Sequence, residues 1–356
     1  MHYNKKKVAT VLSLCLMMVL IFGLTACSLS GTNEKYGTTG FAMGTTISET
    51  VYAKDEEAAT KACEDIISLL EKIENEEISW RVEGSEIYQI NHSDQAFKVS
   101  DEVYDWLKES MQLAADSKMA LNPAVGVLAK LWDIGGDNPR VPEKEEIAEA
   151  LKKINADDII IEESHFVERK NEDVQIDLGA VGKGIGADKV YQYLQEDEDI
   201  SGAVIAVGGS ICIYGEKADG SDWNVGVQDP RAEDGTVMGV VTAKDGEFVS
   251  TSGDYEKYIE QDGKRYHHIL DSKSGYPSES GLISVTIICP SGIDSDGLST
   301  ACFVLGIEDS LALLEKYDAE AIFVDEDHNV YQTDGANFSL QNSDDYQMAD
   351  LPQAEK

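Results

Sequence analysis

The chain has 356 residues, with 67 Asp or Glu against 29 Lys or Arg, and its formal net charge is −38 at pH 7. No block of Lys or Arg offsets this charge, which argues against nucleic acid and anionic lipid as general partners. The length allows one large or two medium domains. An anionic ligand such as a pyrophosphate would need a bound divalent cation or well-placed lysines to offset the repulsion.

The first segment has the order of an export signal. Three consecutive lysines precede an apolar run, and the run closes with Leu-Thr-Ala-Cys at residues 24–27. A cysteine after small residues is similar to the lipobox of a bacterial lipoprotein. We therefore expect a signal peptide over residues 1–26, a lipid on Cys27, a Ser/Gly/Thr-rich tether over residues 27–40, and anchoring to the cell membrane on its extracellular or periplasmic side. The alternative is a plain membrane helix, because the run is near the lower length limit for spanning.

Helical patterns dominate the next part of the chain. A strand is predicted over residues 41–53, and amphipathic helices are predicted over residues 56–74 and 101–117. Ser100 is the expected N-cap of the second helix. A helix opened by proline follows, and then short strands, the last of them over residues 173–176.

A glycine-rich run, Asp-Leu-Gly-Ala-Val-Gly-Lys-Gly-Ile-Gly, occupies residues 177–186 at a predicted strand-to-helix junction. Glycines let the backbone approach an anion, and a helix N-terminus supplies unpaired N–H groups. Lys183 would add a counter-charge. The run is not a P-loop, because Gly184 stands where that motif requires Ser or Thr. Tight packing of a helix on a strand is the alternative explanation.

The second half is rich in predicted strands, with helices between the later ones, and its polar end, residues 341–356, is predicted to be disordered. Helices first and strands later indicate an α+β, or mixed α/β, fold. Four cysteines follow Cys27, without a CxxC pair, so neither a zinc site nor a disulfide framework is indicated. They are Cys63, Cys212, Cys289 and Cys302.

Residues 248–306 collect the residue types that polyphosphate chemistry needs. The segment contains a predicted Ser/Thr/Gly turn at residues 250–253 and a histidine pair, His267 and His268. Asp296 and Thr300 lie four apart at the start of a predicted helix and therefore share a helix face. A carboxylate and a hydroxyl on one face can point at one hard cation, because such cations prefer oxygen ligands.

Seven short motifs follow one another along the chain. They are Ala-Met-Gly-Thr at 42–45, Ser-Glu-Ile with Ile-Asn at 85–91, Asn-Pro-Ala-Val-Gly at 122–126, Asp-Leu-Gly-Ala with Lys-Gly at 177–184, Ser-Gly-Asp-Tyr at 252–255, His-Ile-Leu-Asp with Gly-Tyr-Pro at 268–277, and Asp-Gly-Leu-Ser-Thr at 296–300. In this order they resemble the motifs of the ApbE-type FAD:protein FMN transferases. The resemblance covers nearly all of the chain from residue 41 to residue 332, and we predict one such domain over residues 41–340. It implies a mostly antiparallel β core flanked by helices.

The resemblance also implies a set of site residues. A magnesium ion beside the FAD pyrophosphate would be held by the Ala180 carbonyl, Asp296 and Thr300. The implied FAD-lining positions are Met43, Trp80, Asn122, Pro123, Ala124, Asp177, Lys183 and Leu270. Five positions depart from the commoner family residue: Trp80 for Tyr, Asn122 for Asp, Ala124 for Thr, Ser210 for Asp and Ser272 for Pro. None of them is an implied metal ligand.

The implied reaction is protein flavinylation. A threonine or serine hydroxyl of a target protein would attack the FMN-side phosphorus of FAD, and AMP would leave. Magnesium, held in part by Asp296, would offset the developing charge with help from Lys183. His268 is the candidate base, because imidazole titrates near neutrality and anionic neighbours would stabilise its charged form. A histidine that hydrogen-bonds backbone is the alternative role.

Two other functions remain open from the sequence. The same metal site with water as nucleophile would make an FAD pyrophosphatase that gives FMN and AMP. A flavin-binding lipoprotein without chemistry is the other alternative, although binding alone does not require a metal. For the transferase, the resemblance implies an acceptor among membrane redox subunits or extracellular flavoproteins, with its Thr or Ser in a short Asp/Gly-containing motif.

Overall fold

The computed structural model describes residues 33–352 apart from residues 218 and 234. The predicted signal peptide, Cys27 and residues 353–356 lie outside the described residues. Within the described part of the chain, no helix combines the length and the apolar character needed to cross a membrane.

Strands make up most of the framework. They are β1 (Glu34–Ala42), β2 (Thr45–Ala53), β3 (Phe97–Lys98), β4 (Ile159–Ile161), β5 (Phe166–Arg169), β6 (Ile200–Val207), β7 (Ser210–Gly215), β8 (Trp223–Gln228), β9 (Val237–Ala243), β10 (Phe248–Gly253), β11 (Tyr258–Gln261), β12 (Lys264–His267), β13 (Leu282–Cys289), β14 (Glu320–Asp325), β15 (Asn329–Gln332), β16 (Phe338–Leu340) and β17 (Gln347–Met348).

The helices lie mostly between the early strands and after β13. They are α1 (Glu56–Lys72), α2 (Glu86–His92), α3 (Asp101–Asp116), α4 (Gly126–Trp132), α5 (Lys144–Ala150), α6 (Gly182–Glu196), α7 (Gly292–Leu305) and α8 (Ile307–Lys316). A π-helical segment, Ile73–Ile78, continues α1, and short 3-10 turns follow α5 at Leu151–Lys153 and Ala156–Asp158.

One nine-stranded sheet organises the fold, in the order β1-β2-β6-β7-β10-β13-β14-β15-β17. Every neighbouring pair is antiparallel except β15 and β17, which pair in parallel. This confirms the predicted α+β class with a mostly antiparallel core. Smaller sheets, β16-β9-β8, β3-β5-β4 and the hairpin β11-β12, complete the strand pairing of the described residues.

Strand β13 shows how the layers are arranged. All of its residues are buried, since both faces of the large sheet are covered at this point. Val285 and Ile287 pack into the helical layer that contains α3 and α7. Ile288 points to the other face, where the small sheet of β8 and β9 covers it. Alternate residues of a strand face opposite sides, so a doubly covered strand is buried along its whole length, here including Ser284 and Thr286.

Helix ends follow the capping residues in the sequence. Ser100 caps α3 as predicted, since its Oγ accepts a hydrogen bond from the Val103 N–H at 3.3 Å. Ser291 caps α7 in the same way through the Asp294 N–H at 3.2 Å. Helix α7 ends at Gly306, whose φ of 79° is a conformation that glycine adopts without strain.

Helices α6 and α7 approach each other backbone to backbone where both begin. A Cβ added to Gly184 would collide with the Gly292 carbonyl oxygen, and one added to Gly292 would come within 2.5 Å of the Gly184 carbonyl oxygen. Asp188 of α6 accepts hydrogen bonds from the Gly292 and Ile293 N–H groups, each at 2.7 Å. Asp296 of α7 in turn accepts one from the Gly184 N–H at 3.0 Å. Each helix therefore caps the N-terminus of the other.

The structure differs from the sequence-based expectation in several segments. Strand β1 includes residues 34–40, which were assigned to the tether, and β10 includes residues 250–253, which were assigned to a turn. Residues 173–176 form only an isolated bridge, between Gln175 and Val125. Residues 341–352, predicted to be disordered, pack on the fold: Tyr346 is 3% exposed and its hydroxyl donates to Asp229 Oδ1 at 2.6 Å.

All four cysteines of the described residues are buried free thiols, as no disulfide is formed among them. Cys63 lies beside another buried group, Glu49 of β2, which is 2% exposed and whose Oε1 has no hydrogen-bond partner among the described residues. Burial raises the pKa of Glu49 to about 7, although a hydrogen bond with Cys63 opposes the shift. Glu49 is therefore a buried carboxyl group between β2 and α1, with one of its two oxygens unsatisfied among the described residues.

We expect Gly184→Ala to lower the free energy of unfolding by about 1–3 kcal/mol, because the added methyl group meets backbone that cannot move aside. Gly186→Ala is the matched control in the same helix, since its Cβ would meet the side chains of Leu70 and Met43, which can adjust. Urea denaturation of both variants measures the difference. Equal stability of the two variants would contradict the close crossing of α6 and α7.

A second prediction concerns pH. Between the unfolded and folded pKa values of Glu49, the folded chain holds a proton that the unfolded chain has released, so stability falls as pH rises from about 4.5 to 7. Glu49→Gln removes this cost and should stabilise the protein by about 2–3 kcal/mol at pH 8, with little effect at pH 4. Denaturation at both pH values checks this. Glu71→Gln, on the exposed side of α1, should show no such pH-dependent gain.

Candidate functional site

A cavity of about 360 Å³ lies at the start of α6 and α7. Its wall is built from the turn after β1, the segment after the π-helical turn, the loop before α4, the end of β10 and the residues flanking the β11-β12 hairpin. The predicted site residues that line it are Met43, Trp80, Asn122, Pro123, Asp177, Ala180, Lys183, His268, Leu270, Asp296 and Thr300. Segments far apart in the sequence therefore meet at one cavity.

Ala124 is the exception among the predicted site residues that the structure describes. It is fully buried and is not among the residues that line the cavity. Its N–H donates to Asn122 Oδ1 at 2.9 Å, while Asn122 Nδ2 donates to the Ile154 carbonyl at 3.0 Å. The Asn122 amide thus holds the loop in place by bonding backbone on both sides.

Asp296 is the most constrained charged group of the cavity. It is 2% exposed, and its Oδ2 accepts the hydrogen bond from the Gly184 N–H described above. Its Oδ1 accepts a hydrogen bond from Ser210 Oγ at 3.0 Å and lies 3.5 Å from Lys183 Nζ. An ionised carboxylate offers about four lone-pair positions, so these contacts fix its orientation and leave it able to accept a further ligand.

The Ala180 carbonyl accepts no hydrogen bond from the described residues. Residue 180 precedes α6, whose first N–H groups have no intrahelical partner, and the N–H of Gly184 in that first turn donates to Asp296. A partial negative charge therefore remains unpaired on the wall of the cavity, close to the start of α6.

Thr300 is joined to strand β10 by a ladder of hydroxyl groups. Ser250 shares a hydrogen bond with Ser295, and Ser252 shares one with Ser299, both at 2.7 Å. A longer contact of 3.3 Å links Ser252 to Thr300. Ser250 and Ser252 are two residues apart on the strand, and Ser295 and Ser299 are four apart on the helix. These spacings correspond to similar distances, so both pairs of hydroxyl groups can meet.

The donor set fits a hard divalent cation. It consists of a backbone carbonyl, a carboxylate and a hydroxyl, all oxygen atoms on the wall of one cavity, which are ligands that Mg²⁺ prefers. Within the described residues, no three His, Cys, Asp or Glu side chains gather as a metal-binding group. A softer ion that requires nitrogen or sulfur ligands is therefore not favoured at this site.

Lys183 places a positive charge next to Asp296 in the cavity. Burial works against its charge, but Asp296 and Glu256 outweigh that effect and raise its pKa above the ordinary lysine value. Glu256 lines the same cavity, where burial raises its pKa while Lys183 opposes the shift. Three groups on the cavity wall thus form what we call the charged row: the Asp296 carboxylate, the Lys183 ammonium group and the Glu256 carboxyl group.

His268 has a different environment from the one expected. Burial is the main cause that lowers its pKa, to about 3, and the charges of Lys183 and Lys257 lower it further. The charges that act on it most are therefore cationic, whereas the sequence led us to expect anionic neighbours. Its Nδ1 is buried without a hydrogen-bond partner among the described residues. The ring is therefore neutral at pH 7.

His267 has a structural environment. Its Nε2 lies 3.1 Å from the Ser278 carbonyl, and its ring packs edge-on against Phe303. It is 7% exposed and does not line the cavity.

An aromatic surface forms another part of the wall. Arg81 stacks on the Trp80 ring at 3.8 Å from its centroid, which leaves Trp80 as a flat lining surface. Asp177 lies nearby and accepts a hydrogen bond from the Gly179 N–H at 2.7 Å. Burial raises the Asp177 pKa, while the Gly179 N–H, Arg81 and Trp80 oppose the shift. This end of the cavity can accept a planar ligand and its donor groups.

Several residues at the site were missed from the sequence. Glu256 and Lys257 directly follow the Ser-Gly-Asp-Tyr motif, and that position was a signal that could have identified them. The sequence places Ser252 in a predicted turn and in the Ser-Gly-Asp-Tyr motif, but its bonds to α7 follow only from the alternation of β10. Glu74 accepts a hydrogen bond from the Met43 N–H at 2.7 Å, a contact that no local pattern indicates.

Comparison with known proteins gives consistent results. The sequence model of the ApbE family matches residues 43–323. A Treponema pallidum protein named FAD:protein FMN transferase is 33% identical over 90% of this chain and 92% of its own length. One of the same name from Klebsiella pneumoniae is 34% identical over 84% of this chain and 92% of its own length.

Solved structures show the same similarity. The crystal structure of the ApbE protein from Thermotoga maritima superposes with a TM-score of 0.76 at 33% identity, covering 87% of this chain and 98% of that protein. The flavin transferase ApbE from Vibrio cholerae superposes with a TM-score of 0.73 at 28% identity, covering 87% of this chain and 97% of that protein.

The low pKa of His268 can be tested in the ligand-free protein. We expect NMR titration of its ring nitrogens to show a neutral imidazole at pH 5, because protonation would place a buried charge beside two lysines. The His268→Gln variant assigns the signal by its disappearance. A midpoint between pH 6 and 7 would contradict the buried, cationic environment.

Proposed function

The chain belongs to the ApbE family and is a flavin transferase, and from this premise we propose that it transfers FMN from FAD to a threonine or serine hydroxyl of a target protein. AMP is the leaving group, and the reaction requires Mg²⁺. The observation that carries the proposal is the convergence of the Ala180 carbonyl, Asp296 and Thr300 on one cavity next to Lys183 and the start of α6.

The metal ligands in this proposal are the Ala180 carbonyl, Asp296 and Thr300. When bound, Mg²⁺ would offset negative charge on the bridging and equatorial oxygens of the phosphates. Gly184 and Ser210 orient the Asp296 carboxylate through their hydrogen bonds. The constrained carboxylate does not have to reorganise, which favours binding of an ion whose geometric demands are strict.

The anionic phosphates need further positive charge in so acidic a protein. Lys183 supplies a full charge, and the N-terminus of α6 supplies unpaired N–H groups and a partial charge. Trp80 offers a flat surface on which an aromatic ring of the dinucleotide can stack. The phosphates and one ring of FAD are thereby held by different walls of the same cavity.

His268 is the residue proposed to take the proton of the attacking hydroxyl. Its imidazole is neutral and its Nδ1 has no partner among the described residues, so it can accept a proton. A pKa near 3 makes it a weak base in the ligand-free protein. Negative phosphates in the cavity would stabilise the imidazolium and raise this pKa toward neutrality.

The acceptor and the location belong to the same proposal. The target would be a membrane redox subunit or an extracellular flavoprotein that presents a Thr or Ser to the cavity. The enzyme would be attached to the membrane through a lipid on Cys27, facing the extracellular or periplasmic side. This part is supported by the Leu-Thr-Ala-Cys sequence at residues 24–27 and by the apolar run that precedes it.

The central test uses the full-length protein in detergent with FAD, Mg²⁺ and a Thr-containing acceptor. We expect the wild type to make the acceptor fluorescent in a gel, and Asp296→Ala to reduce the rate by about 100-fold or more, because it removes the only charged ligand of the metal. Asp294→Asn is the matched control, since Asp294 lies on the same helix but does not line the cavity.

An unchanged rate in Asp296→Ala would contradict the metal assignment. Replacing the acceptor threonine by alanine should abolish labelling. Formation of free FMN and AMP without labelled acceptor would instead indicate a pyrophosphatase, and intact FAD after long incubation would indicate a binding protein.

A further inference from the structure

We propose that Lys183 forms an ion pair with Asp296 when no divalent ion is bound, and that the Lys183 ammonium group moves to Glu256 when the divalent ion binds. This inference rests on the proposed function and deepens it, because it assigns Glu256 the role of a positioning residue. It concerns an exchange between two carboxylates of this chain and requires no additional ligand.

The contact between Lys183 and Asp296 shows the first position of the ammonium group. Lys183 Nζ lies 3.5 Å from Asp296 Oδ1, on a carboxylate that is 2% exposed. The other two contacts of this carboxylate come from a backbone N–H and a hydroxyl, which are neutral donors. Lys183 is therefore the cation that balances Asp296 in the described structure.

A divalent ion at Asp296 would compete with this contact. The ion would share a carboxylate with an ammonium group, and the repulsion between charges of +2 and +1 is twice that between two monovalent cations at the same distance. Partial exclusion of water from the cavity weakens the screening of this repulsion. Lys183 must therefore move away from Asp296 before the divalent ion is bound tightly.

Glu256 lies where the displaced ammonium group can be received. A Cβ added to Gly209 would be 3.6 Å from Glu256 Oε1 and 3.8 Å from Lys183 Nζ, so the two groups face the same small space beside this glycine. Glu256 is influenced by Lys183 and Asp296 through charge, without a hydrogen bond to any described residue. The absence of a side chain at Gly209 leaves the path between the two carboxylates open.

The exchange has a consequence for the proposed reaction. An ammonium group that moves to Glu256 remains at the cavity, which Glu256 lines, and remains available to a phosphate. Binding of the divalent ion then determines where Lys183 lies, because the ion displaces the ammonium group from Asp296 to Glu256. Glu256 acts through Lys183 and needs no contact with the reacting atoms.

Manganese binding to the full-length protein in detergent tests this exchange without any enzymatic assay. Mn²⁺ serves as the probe, and its affinity is measured by electron paramagnetic resonance and by calorimetry. Removal of the competitor in Lys183→Gln should tighten Mn²⁺ binding by about tenfold, and loss of the receiving group in Glu256→Gln should weaken it by about fivefold. Lys183→Met gives a second test, and thermal unfolding confirms that each variant is folded.

Two controls separate the exchange from a general effect of charge. Lys257→Gln removes another positive charge that lines the cavity, and we expect its Mn²⁺ affinity to change by less than about threefold. In the Lys183→Gln background, Glu256→Gln should lose most of its effect, because Glu256 acts through Lys183. A crystal structure with Mn²⁺ should show Lys183 Nζ nearer to Glu256 than to Asp296.

The proposal is overturned if Lys183→Gln and Lys183→Met bind Mn²⁺ no more tightly than the wild type. It is also overturned if Glu256→Gln weakens binding equally in both backgrounds, since Glu256 would then act on the ion directly. Failure of the wild type to bind Mn²⁺ would reject the metal site itself, and with it the proposed function. FMN transfer that depends on the metal, with no tightening in the Lys183 variants, would reject the exchange alone.

Discussion

The mutual capping of α6 and α7 is the constraint on which the site depends. Asp188 binds the first N–H groups of α7, and Asp296 binds the Gly184 N–H of α6. This arrangement is possible because Gly184 and Gly292 let the two backbones touch. The hydrogen bond from Gly184 to Asp296 caps α6 and joins the two helices, while the Ala180 carbonyl accepts no hydrogen bond from the described residues.

Hydrogen bonds from the large sheet hold this helix pair in position. Core packing alone allows a helix to slide, whereas the hydroxyl pairs Ser250–Ser295 and Ser252–Ser299 define one register between β10 and α7. Ser210, at the start of β7, adds a bond from the neighbouring strand to Asp296. The charged row is thus attached to two strands and two helices at once.

Much of this could be predicted from sequence, and the reasons are physical. Periodicity and capping residues such as Ser100 located the helices, because these signals are local. The shared helix face of Asp296 and Thr300 follows from their spacing, and resemblance to the family indicated most of the lining residues. The environment of His268 could not be predicted, because its pKa depends on burial and on two lysines, Lys183 and Lys257, whose positions next to its ring follow only from the tertiary fold. The packed tail was also missed, since Tyr346 is stabilised by Asp229, more than a hundred residues earlier.

The positions of β1 and β17 affect the order in which the strands of the large sheet can pair during synthesis. The first strand of the described chain forms one edge of the large sheet, and the last forms the other. A growing chain emerges N-terminus first, so its central strands are available before the final edge can be added. Until residues 347–348 have been made, the outer edge of β15 has no partner strand, and an unpaired edge is open to unwanted strand pairing.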